Sequence, residues 1–238
     1  MSGAARSARS GRLRALLRQG WPDEARRVAQ EPVLYEAAAT ARPHGRCLNA
    51  GCGEGLYSRF LESFGEVSEI VNIDMTMPRI AATRSDPRHT DTAGSLTELP
   101  LADGSCDWLL CTEVIEFVPD DRAVARELGR VLKPGAHALI TVPTPPAPRV
   151  SADVREGYTP AQLRELLSLG GLEVVWQGHC FHLLMRWFVL AWRWQHERLG
   201  GGRRSLMPRL AVLAWGHADR RLTVGRPWDL VVLARRAG

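Results

Sequence analysis

The chain has 238 residues, 45% of them hydrophobic, which is enough to bury a full core as one domain of the larger sort. Its formal net charge of +5 is carried almost wholly by arginine, spread along the sequence without a basic block interleaved with aromatics, which argues against a nucleic-acid surface. The five cysteines form no CxxC pair, so no metal site is expected and they read as reduced core thiols suited to a reducing cytoplasm.

Residues 1–20 are rich in Arg, Ser, Gly and Ala, lack the apolar stretch of a secretory leader, and read as a basic tail. From about Trp21 to Thr40 the pattern is helical, opened by Pro22-Asp23-Glu24 and ended by Arg42-Pro43-His44-Gly45. Such a helix covers a sheet edge or the mouth of a site, so residues 1–44 are taken as tail and covering helix. Strand and helix signals then alternate, which predicts a doubly wound α/β domain over 45–238. Candidate strands are 46–50, 68–73, 90–94, 106–111, 136–142, 172–178 and 228–235. Asp120-Asp121 precede a helix carrying Val124, Leu128, Val131 and Leu132 on one face, with Pro134-Gly135 as its stop. Thr159-Pro160-Ala161-Gln162 is a capping box with proline in the first turn, and Gly170-Gly171 end that helix.

The stretch Arg46-Cys47-Leu48-Asn49-Ala50-Gly51-Cys52-Gly53-Glu54-Gly55 is a short apolar run passing into three alternate glycines and then a helical pattern. Strand, glycine turn and helix start together make a cradle that lets a ligand approach the backbone. Asp74 follows Gly53 by 21 residues and ends a second apolar run. An acid there is placed to bind ribose hydroxyls, so the ligand contains a nucleoside. The dinucleotide fingerprint wants its third glycine where Leu56 stands, which disfavours a nicotinamide oxidoreductase. A P-loop needs Gly-Lys-Ser/Thr, and the only lysine is Lys133.

Leu48–Gly55 resembles the first motif of the class I S-adenosylmethionine-dependent methyltransferases, in their small-molecule, type-11-like branch. The resemblance continues through Leu99–Asp107, Cys111–Glu116 and Arg130–Gly135. It implies a Rossmann-like seven-stranded sheet, mostly parallel with the last strand antiparallel, and S-adenosyl-L-methionine as cofactor. It also implies that Asn49, Gly51, Cys52 and Gly53 face the methionine end, with backbone N–H groups around Gly51 to Gly53 turned towards it. By the same resemblance Asp74 holds the ribose, Met75, Ser95 and Leu96 lie near the adenine, and Cys111 and Thr112 line the crevice. Relatives often carry an acid where Ser95 stands and a histidine where Phe117 stands. A hydroxyl accepts more weakly than a carboxylate, and Phe117 can take no proton. The remaining acid–base candidates are Glu113, Glu116, Tyr158 and His179, with His182 as a further one.

Between the sixth and seventh strands, about 180–221, lies a helical insert. Phe181–Trp194 holds eleven apolar positions with a narrow polar stripe of His182, Arg186 and Arg193. An all-round apolar helix calls for burial, which favours a substrate lid or a homodimer face through 181–215 over peripheral membrane contact. The leading function is methyl transfer to a small or lipid-like, amphiphilic acceptor in the cytoplasm. The alternative is a catalytically inactive cofactor-binding partner subunit.

Overall fold

Periodic apolar runs separated by glycine and proline turns give seven strands, and the computed structural model describes residues 22–76, 86–145, 147, 154–199 and 207–238. The elements are α1 (Pro22–Thr40), β1 (Gly45–Ala50), α2 (Ser58–Glu62), β2 (Val67–Asp74), β3 (His89–Ala93) and β4 (Cys106–Thr112), then a 3-10 turn at Ile115–Phe117. They continue with α3 (Asp121–Val131), β5 (Leu132–Pro143), α4 (Pro160–Ser168), β6 (Leu172–Cys180), α5 (Leu183–Leu199), α6 (Arg209–Arg221) and β7 (Asp229–Arg236). The strands form one sheet in the order β3-β2-β1-β4-β5-β7-β6. The pairs from β3 through β5 are parallel, and β7 runs antiparallel to both β5 and β6. The doubly wound fold class expected from the sequence is the one observed.

The chain divides into two units. The larger, Glu31–Cys180 with Trp228–Gly238, holds the whole sheet. Its central strands are buried on both faces, as near-continuous apolar runs require. Leu48, Leu109, Ile140 and Val232 sit in one core with Val124, Leu128 and Leu163 from the covering helices. Two asparagines interrupt this apolar run in register. Asn49 Nδ2 donates to Asn72 Oδ1 at 2.9 Å, and Asn72 Nδ2 donates to Asp91 Oδ1 at 2.9 Å, so a polar ladder crosses β1, β2 and β3.

Both signposted helices form where their caps dictate. Asp120 accepts from the Ala123 amide, and Thr159 with Gln162 completes the reciprocal capping box. The stop of α3 differs from expectation. Leu132 already adopts extended backbone, so the helix ends before Pro134-Gly135, which lie inside β5. There the register jumps from the Cys106–Leu132 pair to the Trp108–His137 pair, and the proline and glycine occupy that irregularity.

The smaller unit combines Met1–Gln30 with Phe181–Pro227. In it α5 and α6 pack together: Trp215 Nε1 donates to the Leu184 carbonyl at 2.7 Å, and the Phe188 and Trp215 rings lie 6.0 Å apart. Asp219 on α6 is fully buried and accepts from the amides of His182 at 2.9 Å and Met185 at 2.7 Å. It thereby satisfies donors at the α5 N-terminus that the helix itself leaves open. No helix among the described residues is long and apolar enough to cross a membrane.

Candidate cofactor and acceptor site

Parallel strands all end at one edge of the sheet, and the chain turns there into the loops that the sequence singles out. The strand order reverses direction at β1 and β4, the switch point at which open α/β sheets bind ligands. Asn49 to Gly53 leave β1, Asp74 and Met75 leave β2, Ser95 and Leu96 follow β3, and Cys111 to Glu113 leave β4. All ten candidate cofactor residues therefore lie on four adjacent strand ends.

The glycine loop is held from two sides. The Gly51 and Cys52 amides donate to the Ile73 carbonyl at 2.8 and 3.2 Å, and the Gly53 amide donates to Asp74 Oδ2 at 2.9 Å. These three N–H groups are thus tied back to β2 instead of being turned outward as the sequence suggested. A hydrogen-bonded loop this close to a strand end satisfies its own donors first. Gly51 has φ +65°, and a β-carbon on it would come within 2.5 Å of both γ-carbons of Val114, so the loops after β1 and β4 touch there. Gly53 has φ +50°, and a β-carbon on it would meet nothing within 4 Å. A side chain at Gly53 would project into open space beside Asp74, which is the room a bound nucleoside needs.

The second Asp74 oxygen, Oδ1, accepts from the Thr76 amide at 3.0 Å and its hydroxyl at 3.1 Å. A carboxylate offers about four lone-pair sites, so Asp74 retains capacity for ribose hydroxyls. The loop after β3 is tied to the same strand end, because the Gly94 amide donates to the Asp74 carbonyl at 3.1 Å. There Ser95 Oγ is paired with Thr97 Oγ1 at 2.7 Å, Leu96 is buried and Met75 is exposed. The open space at Gly53 and the remaining acceptor capacity of Asp74 fit the ribose of a nucleoside.

The acceptor half is built on β4 and β5. Glu113 follows β4 with φ +54°, a left-handed conformation that costs a non-glycine residue about 1–2 kcal/mol. It is held there by Thr141: the Glu113 amide donates to the Thr141 carbonyl at 3.0 Å, and the Thr141 hydroxyl donates to Glu113 Oε1 at 2.9 Å. Glu116 is buried in the 3-10 turn, and its carbonyl accepts from the Arg155 amide at 3.2 Å. Tyr158 donates its hydroxyl to Asp121 Oδ2 at 2.9 Å, and its amide binds the Pro143 carbonyl at 2.8 Å. Burial, reinforced by that hydrogen bond, pushes the phenol well above its ordinary range. Tyr158 therefore stays protonated at neutral pH and can act as a donor but not as a base.

His179 stands apart from this group. It lies near the end of β6 at the far edge of the sheet, with Nε2 3.2 Å from Gln177 Nε2. Two strands, β5 and β7, separate β6 from β4, a distance of about 14 Å at ordinary strand spacing. The Cys111 thiol at the crevice floor is pushed up by burial and then by Glu116 and Glu113, which keeps it neutral. All five cysteines are buried and unbridged. His182, in the smaller unit, has Nδ1 3.9 Å from Asp219.

Several supporting residues were given no role by the sequence. Arg130 uses its whole guanidinium: Nε and Nη2 bind the two Glu127 oxygens at 2.7 Å each, and Nη1 and Nη2 bind the carbonyls of Leu101 at 2.8 Å and Leu99 at 3.0 Å. It also reaches Asp103 at 2.7 Å, so it clamps the Leu99–Asp103 loop that follows the Ser95 segment. Thr141, Thr76 and Val114 were likewise missed. Glu62, Asp86 and His89 bring three potential metal-ligand atoms within 4.8 Å of one another. The Arg88 guanidinium already binds both Asp86 oxygens there and supplies the positive charge.

Fold and loop geometry together define a doubly wound α/β domain whose candidate ligand site lies at the carboxyl edge of its sheet. Residues 48–140 match the family described as "Methyltransferase domain". The chain is 31% identical over 153 residues to a "probable S-adenosylmethionine-dependent methyltransferase" of Mycolicibacterium smegmatis, covering 60% of this chain and 57% of the relative. It is 31% identical over 114 residues to a ubiquinone biosynthesis O-methyltransferase of Xanthomonas campestris, covering 45% of this chain and 46% of the relative. The chain thus spans about half the length of these curated relatives. The crystal structure of an S-adenosylmethionine-dependent methyltransferase from Mesorhizobium loti shares the fold, with a TM-score of 0.58 at 20% identity over 87% of this chain and 97% of that one. Residues 48–140 thus carry the sequence pattern of a methyltransferase domain, on a sheet that has the fold of the S-adenosylmethionine-dependent methyltransferases.

Proposed function

We propose that the protein transfers a methyl group from S-adenosyl-L-methionine to a small or amphiphilic acceptor by in-line displacement. The observation that most supports this is the hydrogen bond from the Gly53 amide to the Asp74 carboxylate, which ties the glycine loop to the strand-end acid. When bound, the cofactor supplies an activated methyl on a good leaving group. The chain's own contribution is then placement and the exclusion of water. Asp74 holds the ribose, Met75, Ser95 and Leu96 flank the adenine, and the loop of Asn49, Gly51, Cys52 and Gly53 borders the amino-acid end. Cys111 and Thr112 floor the crevice.

Glu113, fixed by Thr141 at the end of β4, is the proton acceptor when the acceptor is a hydroxyl. Glu116 lines the site from the 3-10 turn, and Tyr158, its hydroxyl donating to Asp121, braces the wall beside it. We assign His179, at the far edge of the sheet, no part in proton transfer. An amine or carboxylate acceptor needs no base. The ubiquinone biosynthesis O-methyltransferase among the relatives favours an oxygen acceptor on an amphiphilic ring. Buried, reduced thiols support a cytoplasmic setting, and segment 181–215 meets a membrane surface or a second copy of the chain, with no nucleic acid involved. The test is calorimetric titration with S-adenosylmethionine, S-adenosylhomocysteine and NAD(H), followed by methyl transfer to a panel of phenols, amines and carboxylates. Binding of NAD(H) alone would overturn the reading. Tight S-adenosyl ligand binding without turnover on any acceptor would instead support an inactive partner subunit.

A further inference from the structure

Sequence periodicity assigns α5 to burial on every side, but the structure leaves one face of it open. Leu183, Trp187, Leu190 and Trp194 recur at helical spacing, and each is more than a third exposed, the two tryptophans at 59% and 61%. At 100° per residue these four positions fall within a stripe about 60° wide. Met185 and Phe188, on the opposite side, are buried. Val224 extends the stripe at the helix start: its carbonyl accepts from the Leu183 amide at 3.0 Å, and it is 55% exposed. Arg186 and Arg193 flank the stripe on one side and Arg198 on the other.

The segment holding α5 is one of two basic stretches of the chain, the other being residues 1–20. Residues 181–227 contain nine arginines against two acids, a formal +7, whereas the whole chain is +5. Of the two acids, Asp219 is fully buried as the cap of α5, and Glu197 lies 3.8 Å from Arg193 on the same helix.

We infer that the α5 stripe is a docking surface for an anionic lipid bilayer. An apolar helix face with tryptophans, flanked by arginines, combines insertion at headgroup depth with attraction to acidic lipids. The stems of the arginines lie along the apolar face while the guanidinium groups reach the phosphates. A second copy is the poorer occupant, because a two-fold pairing would bring two segments of formal charge +7 together. A nucleic-acid strand is poorer too, since Leu183 and Leu190 neither stack on bases nor bind phosphate. The helix lies on the membrane and does not cross it. The inference rests on reading 181–215 as a contact surface and not on methyl transfer.

The test is co-sedimentation of the full chain with vesicles of neutral phosphatidylcholine, or of phosphatidylcholine with phosphatidylglycerol, at low and high salt. Melting temperature and S-adenosylhomocysteine affinity are measured on the same samples. Partition onto anionic vesicles is expected, weakened severalfold by salt. Trp187→Ala with Trp194→Ala should cut it by about tenfold or more while folding and ligand affinity hold. Arg198→Gln should weaken anionic binding and leave the small neutral-vesicle component unchanged. Absence of partition by the wild type overturns the inference, as does a concentration-dependent dimer that the tryptophan pair abolishes. Lipid binding intact in a protein that binds no S-adenosyl ligand would defeat the proposed function and leave this inference standing; the reverse pattern would do the opposite.

Discussion

Replacing Asp74 by alanine removes two things at once. The Gly53 amide loses its 2.9 Å partner, freeing the glycine loop on its outer side, and the ribose loses its carboxylate. A hydrogen bond to a charged group is worth about 1.5–3 kcal/mol, and the loop stays pinned through Ile73, so the loss in binding should be about 2 kcal/mol. That corresponds to roughly thirtyfold in affinity for S-adenosylhomocysteine by isothermal calorimetry. Stability should fall by only about 1 kcal/mol, because the side chain is partly solvated and Thr76 can turn to water. Asp74→Asn separates charge from shape. Its amide oxygen can still accept from Gly53, but its NH2 group would then face the Thr76 amide, donor against donor. Affinity should therefore fall less than for alanine, about fivefold, with the loop held. An unchanged dissociation constant in a folded Asp74→Ala protein would refute the assignment of this acid to the ribose.

The two loop glycines should fail in different ways. Gly51→Ala drives a β-carbon into Val114 at positive φ and should cost about 2–4 kcal/mol of stability, read as a lower urea midpoint. Gly53→Val, which meets no protein atom, should cost about 1–2 kcal/mol of stability but at least thirtyfold in ligand affinity, and equal stability losses would contradict this division. Arg130→Lys should cost about 2 kcal/mol, since one ammonium cannot replace a fork binding Glu127, Leu99 and Leu101 together. The hydrogen bond from Arg130 holds the Glu127 carboxyl below its ordinary value of 4.5, so its stabilisation is present above that pH and lost as pH falls through the depressed folded value. Denaturant titrations should show that acid-side loss shrinking in the lysine variant. Glu113→Gln keeps the bond from Thr141 and should slow transfer to a hydroxyl acceptor by about a hundredfold, with an amine acceptor and ligand affinity unaffected; an unchanged rate on the hydroxyl acceptor removes Glu113 from proton transfer.

How much was legible follows from how local each signal is. The glycine turn, the acid at the next strand end, the capping box and the strand periodicity are encoded within a few residues, so the sheet and its ligand edge were readable. What hydrogen-bonds across the sheet was not. Arg130 follows Asp103 by 27 residues, and nothing in its neighbourhood says that all its donors turn inward. The Asn49–Asn72–Asp91 ladder depends on strand register, which emerges only when β1, β2 and β3 are aligned. A buried asparagine at the same depth in two successive strands is the signal that could have found it.

The outward turn of the glycine-loop amides failed for a related reason. A glycine cradle next to a strand end has two sets of acceptors within reach, those of a ligand and those of its own neighbour, and sequence does not say which set wins. Here the Ile73 carbonyl takes two amides and Asp74 takes the third. A similar ambiguity governs α5, where apolar residues occupy both faces and the count alone calls for burial. Only the partner resolves it. Trp215 and Asp219 of α6 engage the Leu184 carbonyl and the Met185 amide, which fixes one face inward and turns Trp187 and Trp194 out. Among the described residues α5 packs one apolar face on α6, and its exposed second face, flanked by arginines, is the one assigned to the bilayer.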